Sequence, residues 1–426
     1  MAHQTLKSGY HALIDRINQS PQGAPPSDLL FQILKVLVGD NEAQLIALLP
    51  IRPFKAHRAA TIWKMADADA QKILDELASR AVLLDFEHHG VMHYILPPPM
   101  AGFFEFSMMR VRSDVDQKLL AELLHQYLNV EEDFIRELFG KGDTQMGRVF
   151  VQEPALPKDD TLHVLDYERA SEVIKNASDI GIGLCYCRHK MSHLDRACDA
   201  PMDICMTFNS AASSLNRHGI TRHVEMAECM DKLDEAYCRG LVQFGENAQR
   251  KISFICNCCG CCCEALLAAR RIGHLRPVHT TNYIPAVNAE TCTGCGTCIN
   301  SCPVEAMSLV SANDPHHPKK RRAKLDTVIC LGCGVCIRSC PTTSLTLRRR
   351  EQSVITPVDS IHRIVIMAIE RGKLQNLIFD SQVSFGHRAM RAILGSILRL
   401  PLIKQTLAQK QMNSRYIEKL LASKSV

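Results

Sequence analysis

An α+β chain of several domains is what the sequence predicts, and three observations predict it. The chain has 426 residues, too many for one ordinary core, so about three folded units are expected. Helical periodicity gives way to a hairpin pattern within the first hundred residues. Its 20 cysteines are gathered between Cys185 and Cys340 instead of being spread along the chain. With 46% hydrophobic and 22% charged residues the chain is globular. Such clustering points to metal or cluster ligation in a reducing compartment, because disulfide scaffolds belong to short secreted chains.

The first unit, residues 1–110, reads as helices followed by a hairpin. Ser27 caps a helix beginning Asp28-Leu29-Leu30, and Asn41 caps a second through Glu42, Leu45 and Ile46. Ala56–Met65 and Asp67–Arg80 read as two helices joined by a tight turn. Val82–Phe86 and Val91–Ile95 then read as strands around the polar turn Glu87-His88-His89-Gly90. Helix, turn, helix, hairpin is the order of a winged helix, so an N-terminal winged-helix-like domain is expected. Its second helix carries Asp67, Asp69, Asp75 and Glu76 against Lys72 and Arg80, the wrong sign for phosphate contact. DNA binding is therefore not expected, and a protein-docking or structural role is. Pro97–Phe106 is a stiff aromatic connector, and helices from Ser113 to Phe139 occupy a connector of residues 111–164.

Residues 165–282 predict a central α/β cysteine-rich domain. Ile180–Leu184 reads as a strand delivering Cys185 and Cys187, which share one face of an extended chain. Cys198 and Cys205 follow. Lys251–Ile255 reads as a strand delivering Cys256, Cys258, Cys259, Cys261, Cys262 and Cys263, after which Glu264–Arg271 begins a helix. If the two strands are neighbours, Cys185, Cys187, Cys256 and Cys258 present one thiolate face. Six cysteines in eight residues do not make a packed core, so at least one further Fe–S cluster is expected. Zinc and disulfide exchange are the alternatives, and the allocation of ligands is open. Cys229 and Cys238 stand apart on a helical run and read as packing residues. His189, His193, His218 and His223 lie nearby in sequence, and none is named as a ligand.

Residues 283–350 hold the most specific signal. Cys292, Cys295, Cys298 and Cys302 stand in a C-x2-C-x2-C-x3-C-P run, and Cys330, Cys333, Cys336 and Cys340 repeat it. This is the bacterial ferredoxin run for two [4Fe-4S] cubanes, in which the fourth cysteine of each run serves the other cube. One cluster should use Cys292, Cys295, Cys298 and Cys340. The other should use Cys330, Cys333, Cys336 and Cys302. Gly294, Gly296, Gly332 and Gly334 suit a backbone folded closely about a cluster. A zinc ribbon needs four cysteines and leaves the duplicated spacing unexplained. A ferredoxin-like 2[4Fe-4S] domain is expected here.

Taken with Cys185-Tyr-Cys187-Arg188, Cys198, Cys205, Gly240-Leu241-Val242 and the Cys256–Cys263 run, these motifs resemble a group of poorly characterised 4Fe-4S dicluster ferredoxin-domain proteins of anaerobic bacteria. The resemblance covers most of the chain. It implies the ferredoxin fold, two clusters and their eight ligands, and for the central segment only a shared cysteine-rich module.

Lys319, Lys320, Arg321 and Arg322 lie between the two runs and read either as a solvated loop or as a docking surface for an acidic redox partner, such as a flavoprotein or another ferredoxin. Residues 351–426 read as C-terminal helices with basic faces, expected to pack on the protein, with peripheral membrane contact as the alternative. No apolar run is long enough to span a bilayer and Met1–Pro21 lacks a secretory h-region, so a cytoplasmic location is expected. No GxGxxG, GxxxxGK[ST] or Ser nucleophile elbow occurs, and no catalytic residue is identified. The expected function is single-electron relay. A reductase with substrate at the central site and a redox-sensing winged-helix regulator are its rivals.

Overall fold

The structure, a computed structural model, describes residues 8–157, 164–273 and 277–398. Five helices and a hairpin open the chain: α1 (Gly9–Ile17), α2 (Asp28–Leu37), α3 (Asp40–Leu48), α4 (Ala56–Trp63), α5 (Asp67–Ser79), β1 (Leu84–His88) and β2 (Val91–Ile95). The Ser27 hydroxyl accepts from the Leu30 N–H at 3.1 Å and starts α2. The start of α3 departs from expectation. Gly39 is its N-cap, Asn41 lies inside the first turn, and the Glu42 carboxylate accepts from the Gly39 N–H at 2.9 Å. An acid three residues into the helix reaches back to the free amide, which Asn41 is too far along to do. The hairpin also shifts. β1 runs through His88, and only His89 and Gly90 turn, at φ of 50° and 73°, the pair of positive values a tight two-residue hairpin requires.

Phe103, Phe104 and Phe106 bury the aromatic connector around α6 (Phe104–Phe106), and α7 (Gln117–His125) and α8 (Glu132–Phe139) follow. The central segment runs β3 (Gly147–Val149), α9 (Ala170–Lys175), β4 (Ile180–Leu184), α10 (Tyr186–Ser192), β5 (Asp203–Phe208), α11 (Asn209–Arg217), β6 (Arg222–His223), α12 (Met226–Cys238), β7 (Val242–Glu246), β8 (Phe254–Cys258) and α13 (Glu264–Arg271). Its six strands form one antiparallel sheet in the order β3-β7-β8-β5-β4-β6. β4 and β8 are not neighbours, because β5 lies between them. Ile180, Ile182, Met206, Phe208 and Ile255 bury one face under Ile174 of α9 and Cys229 and Leu233 of α12. Alternation along the strands turns Cys205, Cys256 and Cys258 to the other face.

The next segment holds β9 (Tyr283–Val287), α14 (Thr297–Asn300), β10 (Met307–Ser311), β11 (Arg321–Leu325), α15 (Val335–Arg338) and β12 (Leu345–Arg349). β9 pairs with β12 and β10 with β11, both antiparallel. Helices α16 (Ser360–Glu370), α17 (Leu374–Ile378) and α18 (Phe385–Leu398) return to the N-terminal part. There the Asn376 amide donates to Gln19 O at 2.8 Å and Arg52 pairs with Asp380 at 2.8 Å. The basic run beyond Leu398 and the first seven residues lie outside the described residues. No helix among the described residues is long and apolar enough to cross a membrane.

Candidate metal centres

Each ferredoxin-type run is wrapped by a pair of glycines in the left-handed region, with φ of 69° and 82° at Gly294 and Gly296, and 73° and 89° at Gly332 and Gly334. A Cβ on Gly294 would lie 2.3 Å from Arg321 O, and one on Gly332 would lie 2.1 Å from Tyr283 O. Two cavities result. One is lined by Cys292, Cys295, Cys298 and Cys340, and the other by Cys302, Cys330, Cys333 and Cys336. Backbone amides point at the thiols, Ala323 N to Cys292 Sγ at 3.4 Å and Ala306 N to Cys302 Sγ at 3.2 Å, as stabilisation of thiolate charge requires.

The two quartets differ in solvation. Cys295 is exposed and its thiol is shifted down by the Thr297 hydroxyl. Burial pushes Cys330 up to about 11 and Cys333 up to about 12. The first quartet thus opens to the surface, and the second lies inside the molecule.

The ten central cysteines divide in a way the sequence left open. Six form a ring of electrostatically coupled thiols, in the order Cys185, Cys187, Cys263, Cys258, Cys256, Cys205 and back to Cys185. Cys258 and Cys263 approach to 3.0 Å. Cys185 stands at the end of β4, Cys205 on β5, Cys256 and Cys258 on β8, and Cys263 before α13. Cys187 is in the first turn of α10 and not on an extended chain, yet it still joins the ring. The neighbouring thiols Cys205 and Cys258 shift Cys256 down to about 5, while Cys187 and Cys258 shift Cys263 down to about 6.

Cys198, Cys259, Cys261 and Cys262 make a second set, with all four Sγ atoms within 4.8 Å of one another. Cys198 lies in the loop before β5, and Cys259 directly after β8, one residue past the ring's Cys258.

Arg188 is fully buried between the two sets. Its guanidinium donates to Pro201 O at 2.8 Å and to Asn257 O at 2.7 Å. Burial alone would lower its pKa, but the thiolate charge of Cys185, Cys259, Cys205 and Cys258 outweighs burial and raises it. Its Nε and the Tyr186 hydroxyl beside Cys187 and Cys263 are buried without a hydrogen-bond partner. Crowded thiols, a buried cation and two orphaned donors fit an anionic metal–sulfur group in this region.

The central set touches the ferredoxin-type segment. Gly260 lies flush on Pro303, the residue after Cys302, so that a Cβ there would meet Pro303 O at 2.5 Å. From the connector before it Gln152 N donates to Cys333 O at 2.9 Å, and within the ferredoxin-type segment itself Arg350 donates to Cys330 O at 2.6 Å. The histidines turn elsewhere: His189 pairs with Met108 O, His218 with Asp85 and His223 with Asp179. Cys229 is buried in α12 and Cys238 is exposed at its end, both apart from the thiol sets. Arg188 stands in the motif that carries the resemblance but was given no role there, and Lys190 was not singled out by sequence reasoning; only its place on α10 near Cys187 marks it. Lys319 and Arg321 are exposed on the loop and strand packed against Gly294, while Lys320 pairs with Asp314 at 3.4 Å.

Residues 287–344 match the family described as 4Fe-4S dicluster domain. No curated protein and no solved structure matches the chain. The chain therefore carries a ferredoxin-type iron–sulfur domain in its later half, within a larger mixed helix and sheet protein, and its chemistry is metal binding and electron transport.

Proposed function

We propose that the protein relays single electrons between a surface partner and an interior redox centre. On this reading one cubane is held by Cys292, Cys295, Cys298 and Cys340, a second by Cys302, Cys330, Cys333 and Cys336, and a further cluster by the six-thiol ring. When bound, such clusters supply one-electron redox chemistry. The observation that carries the reading is the contact of Gly260 with Pro303, which brings the central cysteine run against the backbone of the buried ferredoxin-type quartet. The chain's own part is spatial. It exposes one quartet at Cys295, buries the next, and packs the turn after β8 against the Cys302 segment.

Exposed Lys319 and Arg321, with Lys320 and Arg322, lie over the surface quartet, which supports docking of an acidic redox protein such as a flavoprotein or another ferredoxin. The winged-helix-like segment, residues 1–110, serves on this reading as a structural mount. Asp85 of its hairpin is buried against Arg217 and His218 of the central segment, and α5 keeps its acidic face outward. The remaining units of the proposal are residues 111–164, 165–282, 283–350 and 351–426.

Anaerobic iron and sulfide analysis of the full chain tests it. At least about eight irons, with matching sulfide, are expected from the two cubanes alone. Four irons or fewer would overturn the relay. A reductase with substrate at the ring is the rival, and it would show a ring signal that shifts on adding substrate while the ferredoxin-type signals stay fixed.

A further inference from the structure

Cys198, Cys259, Cys261 and Cys262 are drawn together more tightly than the other proposed ligand sets. The Cys198 and Cys259 sulfurs are 3.6 Å apart, Cys198 and Cys262 3.8 Å, and Cys261 and Cys262 3.7 Å. Four sulfurs bonded to one tetrahedral centre at about 2.3 Å stand about 3.8 Å apart along each edge. Three of the six edges match that spacing, and the other three lie within 4.8 Å, so the set is of the size that encloses a single ion.

The molecule supplies its own ruler. The ferredoxin-type quartets line two open cavities, and their sulfurs do not all come within 4.8 Å of one another. Among the described residues, no other set of His, Cys, Asp or Glu ligand atoms converges within 4.8 Å. A cube hangs each thiolate from a different iron, so its four outer sulfurs stand well apart. The set around Cys198 is too tight to enclose such a cube.

We propose that Cys198, Cys259, Cys261 and Cys262 bind one zinc ion in a closed tetrathiolate site, separate from the iron–sulfur centres. All four positions are filled by protein sulfur, which leaves none open for substrate, the arrangement of a structural site. For a given thiolate set zinc binds more tightly than ferrous iron. The ion would tie the loop before β5 to the turn between β8 and α13, two segments already bridged by Arg188 through Pro201 O and Asn257 O. The buried guanidinium also offsets the negative charge of four thiolates around a divalent ion. Cys258 and Cys259 then serve different centres, because adjacent residues at a strand end face opposite ways. The inference does not depend on the relay reading, since it concerns none of the ring or ferredoxin-type thiols.

Zinc-edge X-ray absorption on the full wild-type chain, purified anaerobically and loaded with zinc and iron, is the primary test. One zinc per chain with four sulfur neighbours at about 2.3 Å and no iron in the next shell is expected. Nitrogen or oxygen neighbours, an iron neighbour, or less than half an equivalent of zinc overturns it. Cys261, exposed and therefore tolerant, provides the second arm: Cys261→Ser should lower zinc content at least tenfold under competition with a chelator while iron and sulfide stay unchanged. Loss of about four irons with that substitution would reassign these thiols to a cluster and overturn the proposal. Unchanged zinc retention in the variant would overturn it as well.

Discussion

Lys190 is buried with no solvent exposure against the carboxylate of Glu264, and its ammonium also donates to Asn129 Oδ1 at 2.8 Å. The pair joins α10, which carries Cys187, to the start of α13, directly after Cys263. These two ring thiols are otherwise far apart in the chain, so a charge pair in the interior sets the distance between them. Asn129 donates to the same carboxylate, which leaves both charges hydrogen-bonded.

Lys190→Met should therefore strand the Glu264 carboxylate and destabilise the protein by about 3 kcal/mol. In chemical denaturation the midpoint falls. In anaerobic spectra the signal assigned to the ring weakens while the two ferredoxin-type signals persist. Equal weakening of all signals would contradict a local role for the pair.

Gly260→Ala places a methyl group where Pro303 O stands at 2.5 Å and Pro303 Cα at 2.9 Å. The central run must move away from the Cys302 segment. Stopped-flow reoxidation should then show slower exchange between the central centre and the ferredoxin-type part, with iron content unchanged. An unchanged rate would mean that electrons do not cross at this contact.

Cys302→Ser and Cys298→Ser should remove different signals although both residues belong to the first run. Cys302 lines the cavity of Cys330, Cys333 and Cys336, whereas Cys298 lines that of Cys292, Cys295 and Cys340. Electron paramagnetic resonance of the two variants decides the matter. Loss of one common signal would refute the crossing.

Asp85 gives a pH dependence with a definite sign. Burial raises its pKa, but hydrogen bonds from His218, Ser214 and Arg217 outweigh that and hold the carboxyl at about 2. A carboxyl depressed in the folded state contributes stability that is complete above about pH 4 and is lost as pH falls toward the folded value. The wild-type denaturation midpoint should drop between about pH 4 and 2. Asp85→Asn should start less stable and show a flatter profile over the same interval.

Replacing Lys319, Lys320, Arg321 and Arg322 by glutamate should slow association with an acidic redox partner about tenfold or more at low ionic strength. The difference should vanish in high salt, where the Debye length is short. A defect that persists in high salt would point to damage in the cavity beneath, because Arg321 packs on Gly294.

The ferredoxin-type part was legible because its signal is local. Each run carries its own glycines, and the family match covers both. The division of the central cysteines was not legible, since it depends on pairing between distant segments. The insertion of β5 between β4 and β8 brings Cys205 beside Cys256, and nothing in either segment announces that partner. Cys198 sits seven positions before Cys205 yet joins the sulfurs of Cys259, Cys261 and Cys262, because the loop before β5 turns it away from the ring. The start of α3 misled for a smaller reason. Asn41 has the right chemistry for a cap, but Glu42 was already reaching the Gly39 amide. Helix α1 went unnoticed, though Leu13, Ile14 and Ile17 bury it.

The sheet order has a consequence for how the protein is made. Ring members run from Cys185 to Cys263, and the strands that carry them pair out of chain order. Contacts this distant close late in folding. A nascent chain completes neither ferredoxin-type quartet until the second run has emerged, because each takes one thiol from the other run, and the ring likewise has no partial form worth filling. On the relay reading, machinery that delivers a cluster to the ring meets a chain whose sheet is already built.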